Sequence, residues 1–134
     1  MARIIKKTYT HHAPEILRQM LPSAFRTRLE YLRGLTRLTT ISPHIPVVII
    51  DQDGNDAQFA ASEELKSAMR IQMAYELARK YQPMTQKQLG ELAPEQLRAR
   101  LTILQDMKLT KHIKKPNGML GELALLMEIN SRGK

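Results

Sequence analysis

Thr85-Gln86-Lys87-Gln88-Leu89-Gly90-Glu91-Leu92-Ala93-Pro94-Glu95 decides how the second half of the chain is read. Thr85 with Gln88 three residues later has the form of a capping box, so a short helix starts here and carries Leu89 and Leu92. Ala93-Pro94-Glu95 then restarts a helix. Proline at a first helical position lacks only an N–H that has no partner there, and an acid beside it suits the positive helix end. Leu97, Leu101, Leu104 and Met107 continue this second helix at spacings of four and three. Leu109 to Lys115 reads as a basic strand and Pro116-Asn117-Gly118 as a turn. Met119 to Ile129 is apolar enough for a strand or a short helix, and Ser131 to Lys134 is expected to fray.

Short helix, turn, longer helix, basic strand and turn, from Met84 to Leu120, resemble in their order a winged helix-turn-helix module. The resemblance implies DNA binding. Gln96, Arg98, Arg100 and Thr102 would face bases, and Lys87, Lys111, Lys114 and Lys115 would hold phosphates, with His112 also in the wing. Arginine suits guanine and glutamine suits adenine. With Leu97, Leu101 and Leu104 turned to a core, the Gln96/Arg100 side is expected to look partly outward. Arg100 is then expected to approach bases, and Arg98 a phosphate or solvent. The link from Leu92 to Pro94 is shorter than in most such modules, so one helix bent at Pro94 is the competing expectation.

Working toward the N-terminus, Leu65, Met69, Met73, Leu77 and Tyr81 recur at spacings of four and predict a central buried helix, opened by Ser62 as N-cap and stopped by Pro83. Val47 to Ile50 is β-branched throughout and reads as a strand, with Asp51 to Asp56 as a turn and Ala57-Gln58-Phe59 as a possible returning partner. Ser42-Pro43-His44-Ile45-Pro46 reads as a loop. Pro14 opens a helix that breaks at Pro22, and a second helix follows from Ser23 to about Leu38. On it Arg26, Arg33 and Arg37 stack on one face, a secondary basic stripe that Arg18 and Arg28 could extend, interrupted only by Glu30. Its reading as a solvated face, or as a partner of Asp51, Asp53 and Asp56, is kept beside contact with a nucleic-acid backbone. Arg3 to Thr10 suits a strand or an extended arm. The sequence shows no internal repeat and no low-complexity tract.

The chain has 134 residues and a formal net charge of +8, ordinary for one domain in size but strongly basic. Residues 1–46 carry +6, residues 47–78 carry −4 and residues 79–134 carry +6, so two basic lobes flank an acidic centre. There is no cysteine, which excludes disulfides, thiolate metal sites and a cysteine nucleophile. The first residues contain no apolar h-region, and no apolar run approaches the roughly 20 residues of a membrane span, so a cytoplasmic protein with no membrane partner is expected.

Val47-Val48-Ile49-Ile50-Asp51-Gln52-Asp53-Gly54 resembles the first motif of haloacid-dehalogenase-like phosphatases, in which the first Asp is the nucleophile, the second an acid/base, and magnesium joins them. The match covers eight residues, Asn55 stands where that family usually has Thr, and no later paired carboxylates complete a magnesium site. A strand ending in an Asp/Gly turn explains the residues without chemistry. Gly54 is also misplaced for an EF-hand, and His11, His12, His44 and His112 lack ligand spacing. No enzyme, metal or cofactor is expected.

The expected fold is mainly α with a small β component, divided into a basic helical region at 1–83 and a winged-helix-like region at 84–134. The expected function is binding of double-stranded DNA, as a regulator of transcription or of a mobile element, working as a homodimer or with a protein partner. The alternatives are RNA binding through the same basic lobes, and an adaptor that docks through the apolar segment from Met119 to Ile129.

Overall fold

Residues 5–41 and 47–132 are described by a computed structural model; Met1 to Ile4, Ser42 to Pro46 and Gly133-Lys134 lie outside the described residues, and with them the start of the strand or arm expected from Arg3. The β-branched run Val47–Ile50 does form a strand, β2, but its partner is β1 (Ile5–Thr8), paired in parallel with Ile5 opposite Val47 and Thr8 opposite Ile50. The returning strand expected at Ala57 to Phe59 is absent. Only Asp56 bridges back to Ile50, and helix begins at Gln58. Asp51 explains why the chain turns so tightly: one carboxylate oxygen accepts from the Asp53 and Asn55 amides, each at 2.9 Å, while Gly54 adopts φ +84°, which glycine reaches without strain.

Two short-helix/long-helix pairs follow the prolines. Helix α1 (Pro14–Gln19) has Pro14 in its first turn, and α2 (Pro22–Ile41) begins at Pro22 itself, one residue before the expected start. Helix α3 (Gln58–Arg79) starts four residues before Ser62, so that serine lies inside the helix and is not its cap; the Asp56 carboxylate accepts from the Gln58 amide instead. The spacing-of-four row predicted to be buried is not: Met69 and Met73 are about half exposed. Each step of four advances 40° around a helix of 3.6 residues per turn, so five such positions drift off one face. The stripe that is buried runs through Ala61, Glu64, Ala68, Ile71 and Ala74.

Thr85 caps α4 (Gln86–Gly90) as expected, accepting from the Gln88 amide while the Gln88 side chain accepts from the Thr85 amide. Helix α5 (Pro94–Leu109) begins afresh after Glu91-Leu92-Ala93, so a turn separates two helices and the bent single helix is excluded. The segment from Met119 is helical, α6 (Met119–Arg132), and it runs through Ser131 and Arg132. Residues 110–118, expected to hold the strand of a wing, form turns and loop without strand pairing. Ile113 is buried with the helical core, Pro116 has no amide to donate, and Gly118 turns left-handed at φ +87°.

The described residues therefore contain six helices and one two-stranded sheet, a mainly α fold with a small β component. The chain divides into two compact units, Met1–Met69 and Arg70–Lys134, with the boundary inside α3. In the second unit Ala74, Leu89, Leu101, Leu104, Met107, Ile113, Met119, Leu123 and Leu126 form one buried cluster.

Each unit also buries a glutamate held by one tyrosine, one arginine and one backbone amide. In the first, Glu64 is 1% exposed and accepts from Tyr9 Oη at 2.6 Å, the His12 amide at 2.8 Å, and Arg28 Nε and Nη2 at 2.7 and 2.9 Å. In the second, Glu122 is 2% exposed and accepts from Tyr81 Oη at 2.7 Å, the Met84 amide at 2.9 Å, and Arg100 Nε and Nη2, the latter at 2.9 Å. Tyrosine, amide and arginine recur seventy-two residues apart. The two units thus repeat one arrangement, although the glutamates themselves lie fifty-eight residues apart, because the segments between each arginine and its glutamate differ in length.

Candidate nucleic-acid interface

The alternation of buried and exposed residues along α5 fixes what this helix can offer. Leu101, Leu104, Asp106 and Met107 are buried, whereas Arg98, Thr102, Gln105 and Leu109 are exposed at spacings of four, three and four, which keeps them on one face. Arg98 is the cation of that face. Thr102 spends its hydroxyl on the Arg98 carbonyl at 2.9 Å, and the exposed Gln96 spends its Oε1 on the Ala93 amide at 3.0 Å, which leaves its NH₂ available. Gln105 was not singled out by the sequence reading. It shares the Arg98 face, and the signal for it was present in the three-and-four spacing from Thr102.

Arg100 departs from expectation. It turns inward, its side chain 18% exposed, and its guanidinium forks onto Glu122, reaches the Gln82 carbonyl at 3.2 Å, and lies 5.8 Å from the centre of the Tyr81 ring. A fork that already fills a carboxylate is committed to the fold, so Arg100 is withdrawn as a base-reading residue. The outward expectation counted only leucines as inward residues and could not see a buried acid arriving from α6. Burial would raise the Glu122 carboxyl, but the Arg100 hydrogen bonds, the Met84 amide and the Tyr81 hydroxyl outweigh it and hold the carboxyl below its usual range. Burial, then the bond to Glu122, pushes the Tyr81 hydroxyl up. Arg28 in the first unit is likewise paired with Glu64 and does not extend the exposed stripe of α2.

Internal pairing changes the surface charge. From Gln96 to Leu120 the chain has one acid, Asp106, and it is buried, whereas Arg98, Lys108, Lys111, Lys114 and Lys115 are all exposed. None of those five has an ion pair among the described residues. Lys87 is exposed on α4, and His112 is half-buried in the loop after α5. On α2, Arg26, Arg33 and Arg37 are exposed, as the stripe required. The apolar segment from Met119 to Ile129 is largely consumed within its own unit, since Met119, Leu123 and Leu126 join the buried cluster; Leu120 and Met127 remain about half exposed.

Asp51 and Asp53 sit in a turn whose amides Asp51 itself accepts, and no group of three or more His, Cys, Asp or Glu among the described residues could hold a metal ion. No helix among the described residues is long and apolar enough to cross a membrane. Comparison of the chain with protein-family models, curated proteins and solved structures finds no match.

Proposed function

We propose that the chain binds double-stranded DNA through its second unit, with the Arg98 face of α5 and the lysine-bearing segment after it as the contact surface. The observation that carries this reading is the uncompensated set Arg98, Lys108, Lys111, Lys114 and Lys115, exposed along a stretch whose only acid is buried. Cations placed this way release counterions from a duplex, which drives binding without a wing. Arg98 and Gln105 reach for base edges, while Lys87, Lys108, Lys111, Lys114 and Lys115 hold phosphates. A role in regulating transcription or a mobile element is part of the same proposal.

The test is a fluorescence-anisotropy titration of the full chain on a labelled duplex across a salt series. Five phosphate contacts give a log–log slope of about −4.5 and a loss of roughly 500-fold between 50 and 200 mM salt. Replacing Lys111, Lys114 and Lys115 with Gln should bring the slope to about −2. No binding at low salt, a slope unmoved by the triple substitution, or tighter binding to an RNA duplex of the same sequence overturns the proposal.

A further inference from the structure

Superposing the two units in sequence rather than space extends the repeat well beyond the buried glutamates. At an offset of seventy-two residues Tyr9 meets Tyr81, Leu17 meets Leu89, Pro22 meets Pro94 and Arg28 meets Arg100. These pairs have the same structural duties. Leu17 and Leu89 are the fully buried residues of the two short helices, and Pro22 and Pro94 each begin the long helix that follows. Further along, Leu29 with Leu101 and Leu32 with Leu104 keep the long helices buried on matching positions. Even the lesser contacts recur: Arg28 Nη2 donates to the carbonyl one residue after Tyr9, and Arg100 Nη2 to the carbonyl one residue after Tyr81. The arginine lies 5.6 Å from the tyrosine ring centre in one unit and 5.8 Å in the other.

One pair of identical residues neither starts a helix nor enters a core. Arg26 on α2 corresponds to Arg98 on α5, and both are exposed. Since Arg28 and Arg100 are pinned to equivalent carboxylates two residues later, the helices have equivalent rotations within their units, and Arg26 occupies in its unit the outward position that Arg98 occupies in the other. Arg33 stands where the second unit has Gln105, so the first unit's version of the face gains a cation. Arg26 and Arg33 have no ion pair among the described residues, and Glu30 is the single acid of α2.

From this correspondence we infer that α2 is a second duplex-DNA contact surface, equivalent to the one on α5 and centred on Arg26 and Arg33. The second unit reads with Arg98 and Gln105. The first meets the same ligand with two arginines and is the more electrostatic and less selective of the pair. This rests on the reading of the second unit as a DNA-binding surface.

The experiment uses the full chain and the labelled duplex of the salt series, with Arg26→Ala/Arg33→Ala as the test variant. The expected result is a slope shallower by about 1.8, two contacts at 0.9 each, with an affinity loss of similar proportion on selected and scrambled duplexes. Arg26→Lys/Arg33→Lys should restore the slope, and Lys66→Gln, which removes an exposed cation already paired with Glu63, should leave it unchanged. A wild-type slope for Arg26→Ala/Arg33→Ala, beside a flattened slope for the variant lacking Lys111, Lys114 and Lys115, overturns this inference and leaves the proposed function standing. An equal flattening by Lys66→Gln also overturns it, since net charge alone would then explain the loss. Failure of the unsubstituted chain to bind removes the function itself.

Discussion

Replacing Arg100 with Ala separates a structural arginine from a DNA-reading one. The substitution removes two donors to Glu122, the bond to the Gln82 carbonyl and the cation over the Tyr81 ring. Glu122 is left 2% exposed with only the Tyr81 hydroxyl and the Met84 amide as donors. Breaking a buried ion pair from one side costs about 3–5 kcal/mol, chiefly because the surviving charge has lost its counterion. The two remaining donors place this case at the lower end, about 3 kcal/mol, a large part of the 5–15 kcal/mol that holds a typical domain. With a urea m-value of about 2 kcal/mol/M the midpoint should fall by about 1.5 M, measured by circular dichroism. The double variant Arg100→Ala/Glu122→Ala should be less destabilised than the two single losses summed, by about 1–3 kcal/mol. In DNA titrations under conditions where the variant is folded, affinity should fall little and equally on selected and scrambled duplexes, while Arg98→Ala should cost about 1–3 kcal/mol on the selected duplex alone. A midpoint shift below 0.5 M, or a double variant whose losses simply add, would refute the assignment of Arg100 to the fold.

Acid should unfold both units for one reason. Glu64 and Glu122 have folded-state pKa values below their usual range, so their contribution is complete above the unfolded value near 4.5 and is lost as pH falls through the depressed folded values. A thermal melt series from pH 6 to pH 2 should show Tm falling below about pH 4.5, and Glu122→Gln should flatten that fall. Gly118→Ala should cost about 1–2 kcal/mol in urea unfolding, because φ is +87° and the added Cβ would stand 3.3 Å from Pro83 Cβ. Asp51→Asn with Asp53→Asn should change stability by less than about 1 kcal/mol, since an asparagine oxygen can accept the same turn amides, and should leave DNA binding at wild-type levels. A phosphatase activity lost in that double variant would instead revive the dehalogenase-like reading.

Local chemistry was legible in the sequence. Thr85 and Gln88 announced their capping box, Pro14 and Pro94 their helix starts, and Ala93-Pro94 a restart where the structure has a turn. These features depend on backbone groups within a few residues, and composition reports them directly. Strand pairing was not legible. The Val47–Ile50 run is a good strand in either pairing, and nothing local to it signals that Ile5–Thr8 becomes its neighbour. The wing failed for a related reason. A basic segment ending at Pro116-Asn117-Gly118 has hairpin composition, but burying Ile113 takes that segment into the helical core. On α3 the error was one of period, since a row at spacing four looks continuous in sequence and drifts around a real helix.

The buried glutamates explain why the repeat escaped reading and also why it persists. A charge less than a twentieth exposed can be kept only if its partners arrive in fixed geometry, so Tyr, amide and Arg hold their spacing while most of the residues between them differ. The variation is visible: Thr85 occupies in α4 the cap position that Ala13 occupies in α1, and Gln105 on α5 corresponds to Arg33 on α2. Periodicity weighs apolar positions, which both units fill with leucine, isoleucine and alanine, and it discounts charges as surface. In this chain two ion-paired charges of each sign are internal, and Asp106 is buried as well. Removing Arg28, Glu64, Arg100 and Glu122 from the surface leaves the net charge unchanged but takes away two acids that could have neutralised exposed cations nearby. What remains outside on α2 and α5 is a matched pair of arginine-bearing faces. The same ion pairs that fix the two cores thus also set the orientation of the helices and the sign of the surface they present.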